Sequence, residues 1–142
     1  LSLLKIALQD TCLVYGSDAQ IAVQEENAYV FPDVSVFCQE VQVDAENPNS
    51  MLNPVLVVEV LSPHTEAYDR GEKFGKYRNI PTLKEYILVN STKMEVEAYF
   101  REDQSHWHYT FQHAPTEKIY IQALGLYLDL GEIYRSTALM KP

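Results

Sequence analysis

The feature that most constrains this chain is an acid inside a strand. Pro54 opens the run Val55-Leu56-Val57-Val58-Glu59-Val60-Leu61, the most hydrophobic stretch of the sequence. Seven consecutive residues rich in β-branched and leucine side chains fit a strand buried on both faces of a sheet. A carboxylate there is costly unless it is paired, hydrogen-bonded or bound to a metal. Glu59 therefore needs a chemical explanation. Another acid, Asp33, lies 26 residues earlier, after Pro32 and before the hydrophobic Val34-Ser35-Val36-Phe37. If the two strands are neighbours, Asp33 and Glu59 point at one spot. Two carboxylates so placed share a proton or recruit a divalent cation. Hard oxygen donors with room for water favour magnesium or manganese over zinc. The backbone carbonyl near Val60 offers a further ligand.

The segments around this pair read as a mixed fold. Leu1, Leu4 and Leu8 recur at helical spacing. Cys12 to Gly16 and Ala19 to Gln24 are predicted strands, as is Tyr29 to Phe37, with Pro32 marking an edge or bulge. Gln39 to Asn53 is polar and loop-like. Ser62-Pro63-His64-Thr65 ends the central strand, and Ala67 to Asn79 is predicted as a helix weakened by Gly71 and Gly75. Leu83 to Asn90 reads as a second buried strand. Met94 to Phe100 and His106 to Gln112 form a predicted hairpin. Lys118 to Ile121 and Leu126 to Leu130 add short strands, and Gly131 to Tyr134 a helical turn. This order gives an α/β (α+β) domain with one central mixed sheet, flanking helices and an added antiparallel hairpin.

At 142 residues, one domain over 1–142 is the natural reading. A hydrophobic content of 46% with 22% charged residues argues against disorder. No uncharged apolar run approaches membrane-spanning length, so no membrane partner is expected. The chain starts at Leu1 as if inside a helix, which leads us to expect a missing upstream segment. Cys12 and Cys38 are too few and too far apart in sequence for a disulfide framework, and read as buried thiols in a reducing cytoplasm.

The net charge of −9 speaks against a general nucleic-acid binder. Its distribution is uneven. Leu1 to Asp69 holds 11 acids and one base, Lys5, whereas Arg70 to Lys84 holds five bases and one acid, Glu72. That basic segment is either a solvated helix face or an anion-facing patch beside the carboxylates. Within it, Lys73 follows the central strand closely enough to bring an ammonium to the site. A metal, a nucleophilic water and a lysine together suit phosphodiester hydrolysis, with the lysine orienting the water or stabilising developing charge. Arg70 and Lys76 are candidate phosphate contacts, with the Ser62 hydroxyl a secondary one. Asp69, four residues before Lys73, is an ordinary helix pair or an accessory acid. His64 reads as exposed. His106 and His108 share a strand face, but two histidines without a third ligand are more often surface residues. Trp107 and the ten tyrosines suit packing better than base stacking.

The strings Pro32-Asp33, Val57-Val58-Glu59-Val60-Leu61-Ser62-Pro63, Tyr68-Asp69-Arg70-Gly71-Glu72-Lys73-Phe74, Tyr77-Arg78 and Leu83-Lys84-Glu85-Tyr86 together resemble the Uma-type family of restriction endonucleases. That bacterial family is placed in the PD-(D/E)XK nuclease superfamily. The resemblance covers nearly the whole chain and is densest from Tyr29 to Asn90. It implies a restriction-endonuclease-like core, Asp33 and Glu59 as metal ligands, and Lys73 as the catalytic lysine. The superfamily pattern expects lysine two residues after the acid, where this chain has Leu61. The resemblance moves that role to Lys73 on the next helix. Family members also tend to carry a further polar or acidic residue in an N-terminal extension, which is expected in the missing segment upstream of Leu1.

The expected function is a Mg2+-dependent endonuclease (Mn2+ also fitting) acting on DNA phosphodiesters, as a homodimer in the cytoplasm. The alternatives are a non-catalytic DNA- or protein-binding module that retains the fold, and a metal-dependent hydrolase of a small phosphate compound.

Overall fold

The computed structural model describes residues 1–9, 11–135 and 137. The chain runs through α1 (Ser2–Leu8), β1 (Leu13–Tyr15), β2 (Gln20–Val23), a 3-10 turn (Gln24–Glu26), β3 (Ala28–Val30), β4 (Val34–Phe37), β5 (Ser50–Met51) and β6 (Leu56–Leu61). It continues through α2 (Glu66–Arg70), α3 (Glu72–Tyr77), β7 (Glu85–Asn90), β8 (Val96–Arg101), β9 (Trp107–Gln112), β10 (Lys118–Ile121), β11 (Leu126–Asp129) and α4 (Leu130–Ile133).

Six strands form the main sheet in the order β1-β4-β6-β7-β8-β9. Only β6 and β7 run parallel, and α2 and α3 make the crossover between them. The sheet is thus mixed, as expected, and the aliphatic run is its central strand. Apolar residues cover both of its faces. Leu56 and Val58 face a cluster with Leu4, Leu8, Ile87, Ile119, Leu130 and Tyr134, under α1, α4 and the β10–β11 hairpin. Val57 and Leu61 face a second cluster with Ile21, Val30, Phe37, Tyr77, Tyr86 and Leu88, under α3 and a small three-stranded sheet.

Four expectations change. The strand predicted from Tyr29 to Phe37 is two strands in different sheets: β3 pairs with β2, whereas β4 pairs with β1 and β6. Pro32, which lacks an N–H, sits at the break. The polar loop from Gln39 to Asn53 contains β5, which pairs in parallel with β2. The predicted helix from Ala67 to Asn79 is two short helices separated at Gly71, whose ψ of −91 departs from helical geometry.

The fourth change concerns the cysteines. Cys12 and Cys38 are a disulfide, not two thiols, with Cα atoms 4.4 Å apart. Separation in sequence was the wrong measure. The antiparallel register Leu13↔Phe37, continued by one residue, sets Cys12 opposite Cys38. Their spacing is that of a non-hydrogen-bonded cross-strand pair. Among the described residues no helix is long and apolar enough to cross a membrane.

Candidate active site

The sheet register assembles the site. β4 meets β6 with Val34 opposite Val58, so Asp33, one residue before β4, falls opposite Glu59. Alternation then turns Glu59 to the face under α3, together with Val57 and Leu61. The two acids predicted to converge do so: Glu59 is bonded to the Asp33 backbone, and Asp33 to that of Val60, the residue after Glu59. The Asp33 N–H donates to Glu59 Oε1 at 3.0 Å, and the Val60 N–H donates to Asp33 Oδ2 at 2.7 Å. These bonds fix both side chains at the point where β4 begins.

Val60 adds a group of its own. The N–H and C=O of a strand residue point to the same side. Its N–H goes to Asp33, so its carbonyl emerges beside that carboxylate. The carbonyl of Leu61 turns the other way and accepts the Ser91 N–H at 3.0 Å.

The crossover helices close the site from above. Lys73 on α3 makes an ion pair with Glu59 Oε2 and lies 3.8 Å from Asp69 Oδ1. The Tyr77 hydroxyl donates to Glu59 Oε2 at 2.8 Å. Asp69 is itself buried, and the Tyr86 hydroxyl donates to its backbone carbonyl at 2.8 Å. Two buried acids, Glu59 and Asp69, thus flank one ammonium, with Asp33 beside Glu59.

Burial dominates their electrostatics. Glu59 is 1% exposed, and its carboxyl is pushed up to about 7. Lys73, the Asp33 N–H and Tyr77 pull it back down without offsetting the desolvation. Asp69 is raised for the same first reason, with Lys73 opposing and Asp33 adding to the rise. The Tyr77 phenol is raised by burial and by Glu59.

The donor set suits a hard cation. Asp33 Oδ1 has no hydrogen-bond partner among the described residues, and Glu59 Oε1 accepts a single N–H. Among the described residues no three His, Cys, Asp or Glu side chains form a complete cage. Two carboxylates and a carbonyl are nonetheless what a magnesium-type ion that retains its waters requires. The excess of acid over base in a buried place also favours an added positive charge.

The other expected residues divide. Lys76 is half-buried, with its ammonium 3.3 Å from the Tyr68 hydroxyl and 5.6 Å from that ring's centroid. Tyr68 is exposed, and the Lys73 ammonium lies 5.9 Å from the same ring. Ser62 is held in the turn, its hydroxyl 3.0 Å from that of Thr65. Arg70 is not free for a phosphate. Its guanidinium makes two bonds to Glu97, at 2.9 and 2.6 Å, and reaches Glu66 at 3.1 Å. Burial alone would raise Glu97, but Arg70 and Tyr109 hold it below the usual carboxylate range. His64 is exposed. His106 and His108 are exposed too, against Asp103 and Glu102.

Tyr77 is the site residue that pattern reading missed. It sits four residues after Lys73, on the same helical face, a spacing that signals a shared target. The tyrosine reads as apolar packing in the sequence, and its ring does pack, 5.2 Å from that of Tyr86.

Comparison with known proteins bears on the family and the fold. A family model described as "Uma2: Putative restriction endonuclease" matches residues 1–131. "Uncharacterized protein slr1290" of Synechocystis sp. is 38% identical over 127 residues, which cover 89% of this chain and 65% of that protein. "Uncharacterized protein sll1609" of the same organism is 34% identical over 94 residues, covering 66% of this chain and 53% of that protein. The chain therefore spans between about half and two-thirds of these relatives' length. A crystal structure described as "a putative nuclease belonging to DUF820", from Anabaena variabilis, superposes with a TM-score of 0.74 at 12% identity. The superposition covers 94% of this chain and 75% of that one, and establishes a shared fold.

Proposed function

The chain belongs to the Uma2 family, and from that premise we propose that it is a Mg2+-dependent endonuclease, with Mn2+ as a substitute, that hydrolyses DNA phosphodiester bonds. The observation that carries this reading is the convergence of Asp33 and Lys73 on Glu59, from the start of β4 and from α3 onto β6, each bonded to its carboxylate. Asp33, Glu59 and the Val60 carbonyl would hold the cation. When bound, a hard divalent ion supplies acidified water and neutralises phosphate charge.

The chain's own groups do the rest. Lys73 exchanges its contact with Glu59 for the attacking water, orienting it or stabilising the charge that develops on the phosphate. Asp69 lies near enough to steady the ammonium from its other side. Lys76 is the remaining cation for a phosphate, and Ser62 offers a hydroxyl once its bond to Thr65 opens. Arg70 serves the site indirectly, by fixing α2 to Glu97 on β8. A homodimer, with one site for each strand of a duplex, completes the proposal.

Titration calorimetry with Mg2+ and Mn2+ tests it, on the wild type, Asp33→Asn and Glu59→Gln. Binding by the wild type and its loss in both variants are expected, together with cleavage of DNA that follows the metal. A wild type that binds neither ion would overturn the catalytic reading and leave a binding module built on a nuclease fold.

A further inference from the structure

Glu59 has two oxygens, and the site treats them differently. Oε2 accepts the Tyr77 hydroxyl and pairs with Lys73, whereas Oε1 accepts one backbone N–H, from Asp33. The free capacity of the carboxylate is therefore on Oε1, the oxygen beside Asp33. Rotation about the last bond of a glutamate is soft, so hydrogen bonds decide which oxygen faces which way. Two donors hold Oε2, but they are not equivalent. Lys73 is a flexible chain that the proposed reaction calls away to water. Tyr77 is a rigid ring, fully buried against Tyr86, whose only hydrogen-bond partner among the described residues is Glu59.

We infer that Tyr77 is a positioning residue: its hydroxyl holds Glu59 Oε2 back so that Oε1 stays turned toward Asp33 and the divalent cation, including when Lys73 has left. The inference rests on the metal-dependent reading above. A phenylalanine would fill the same space, and the ring packs in an apolar cluster where no other polar demand on it exists. The hydroxyl's burden is its burial, and Glu59 is what relieves it. Groups that orient a ligand in this way typically alter metal affinity by about ten- to a hundredfold when removed.

The test measures Mn2+ affinity by electron paramagnetic resonance of the free ion, beside the melting temperature, in three proteins. Tyr77→Phe is expected to bind Mn2+ ten- to a hundredfold more weakly than wild type. Phe74→Leu disturbs the same aromatic cluster without touching Glu59, and is expected to lower the melting temperature while leaving Mn2+ affinity unchanged. Equal affinity in wild type and Tyr77→Phe would overturn the positioning role alone. Absence of Mn2+ binding in the wild type would overturn the metal-dependent reading and this inference with it. Should Tyr77→Phe fail to fold, NMR of the sheltered Tyr77 hydroxyl proton in the wild type decides. A shift on adding Mg2+, with the Tyr134 hydroxyl unmoved, supports the role; an unmoved Tyr77 signal overturns it.

Discussion

Two glutamates on neighbouring strands make a controlled comparison. Glu59 on β6 and Glu85 on β7 are each 1% exposed, and burial pushes both up to about 7. They face opposite sides of the sheet. Glu59 meets an ammonium, a phenol and a second acid. Glu85 meets only backbone: its Oε1 accepts the Ala123 N–H at 2.9 Å, and Gln122 adds a second backbone bond. It thus fastens the turn of the β10–β11 hairpin to the sheet. Burial and a raised pKa are the same in both, so neither marks a functional site. The partners make the distinction. Glu85 satisfies main-chain donors alone, whereas Glu59 also gathers a phenol and an ammonium, groups that can move protons or charge as the proposed role requires.

The sharpest way to break this contrast is Glu→Gln at each position. Glu59→Gln is expected to reduce DNA cleavage by about 10²–10³-fold or more, while Glu85→Gln leaves the rate near wild type. Comparable losses in both variants would erase the distinction.

Lys73→Met probes the charge side. It leaves Glu59 buried without its cation, at a cost of about 3–5 kcal/mol if the acid stays ionised. Because Glu59 can take up a proton instead, the loss in denaturant melts should be large at pH 8 and small at pH 5. A loss independent of pH would show that the ion pair is not what stabilises this region.

Glu85 supplies a pH experiment of its own. Its folded pKa lies above its unfolded value, so its stabilising contribution is complete below about 4.5 and is lost as pH rises through about 7. Wild type should therefore lose about 3 kcal/mol relative to Glu85→Gln across that window, and no more above it. Parallel stability curves for the two proteins would refute the assignment. The smallest effect is expected at Tyr109, whose hydroxyl donates to the already paired Glu97. Tyr109→Phe should cost about 1 kcal/mol in a melting experiment and leave metal binding intact.

The site was legible where one-dimensional pattern and chemistry conflict. A charge inside Val57 to Leu61 announces itself, and the Pro32-Asp33 step supplies its partner. The central strand, β7 and the β8–β9 hairpin were readable for a related reason, since alternation or continuous β-branched content defines them locally. What stayed hidden depends on three-dimensional pairing. Nothing local says that β3 and β4, separated by only Phe31, Pro32 and Asp33, leave for different sheets. Nothing local distinguishes a packing tyrosine from one whose hydroxyl reaches an acid, as Tyr77 does. Arg70 looked like a free cation because its partner, Glu97, lies 27 residues away on β8. Glu85 stands at the start of a strand whose middle, Tyr86 to Val89, is apolar, and the reasoning that exposes Glu59 applies to it as well.

The disulfide has a topological consequence. Cys12 and Cys38 close a covalent ring that contains β1 to β4 and, within it, Asp33. Glu59 and Lys73 lie outside that ring. A crosslink of this loop length disfavours the unfolded ensemble by about 3 kcal/mol, because it forbids most of the open chain's excursions. One wall of the site is thus tethered even before folding, whereas the other must be gathered from the free chain that follows.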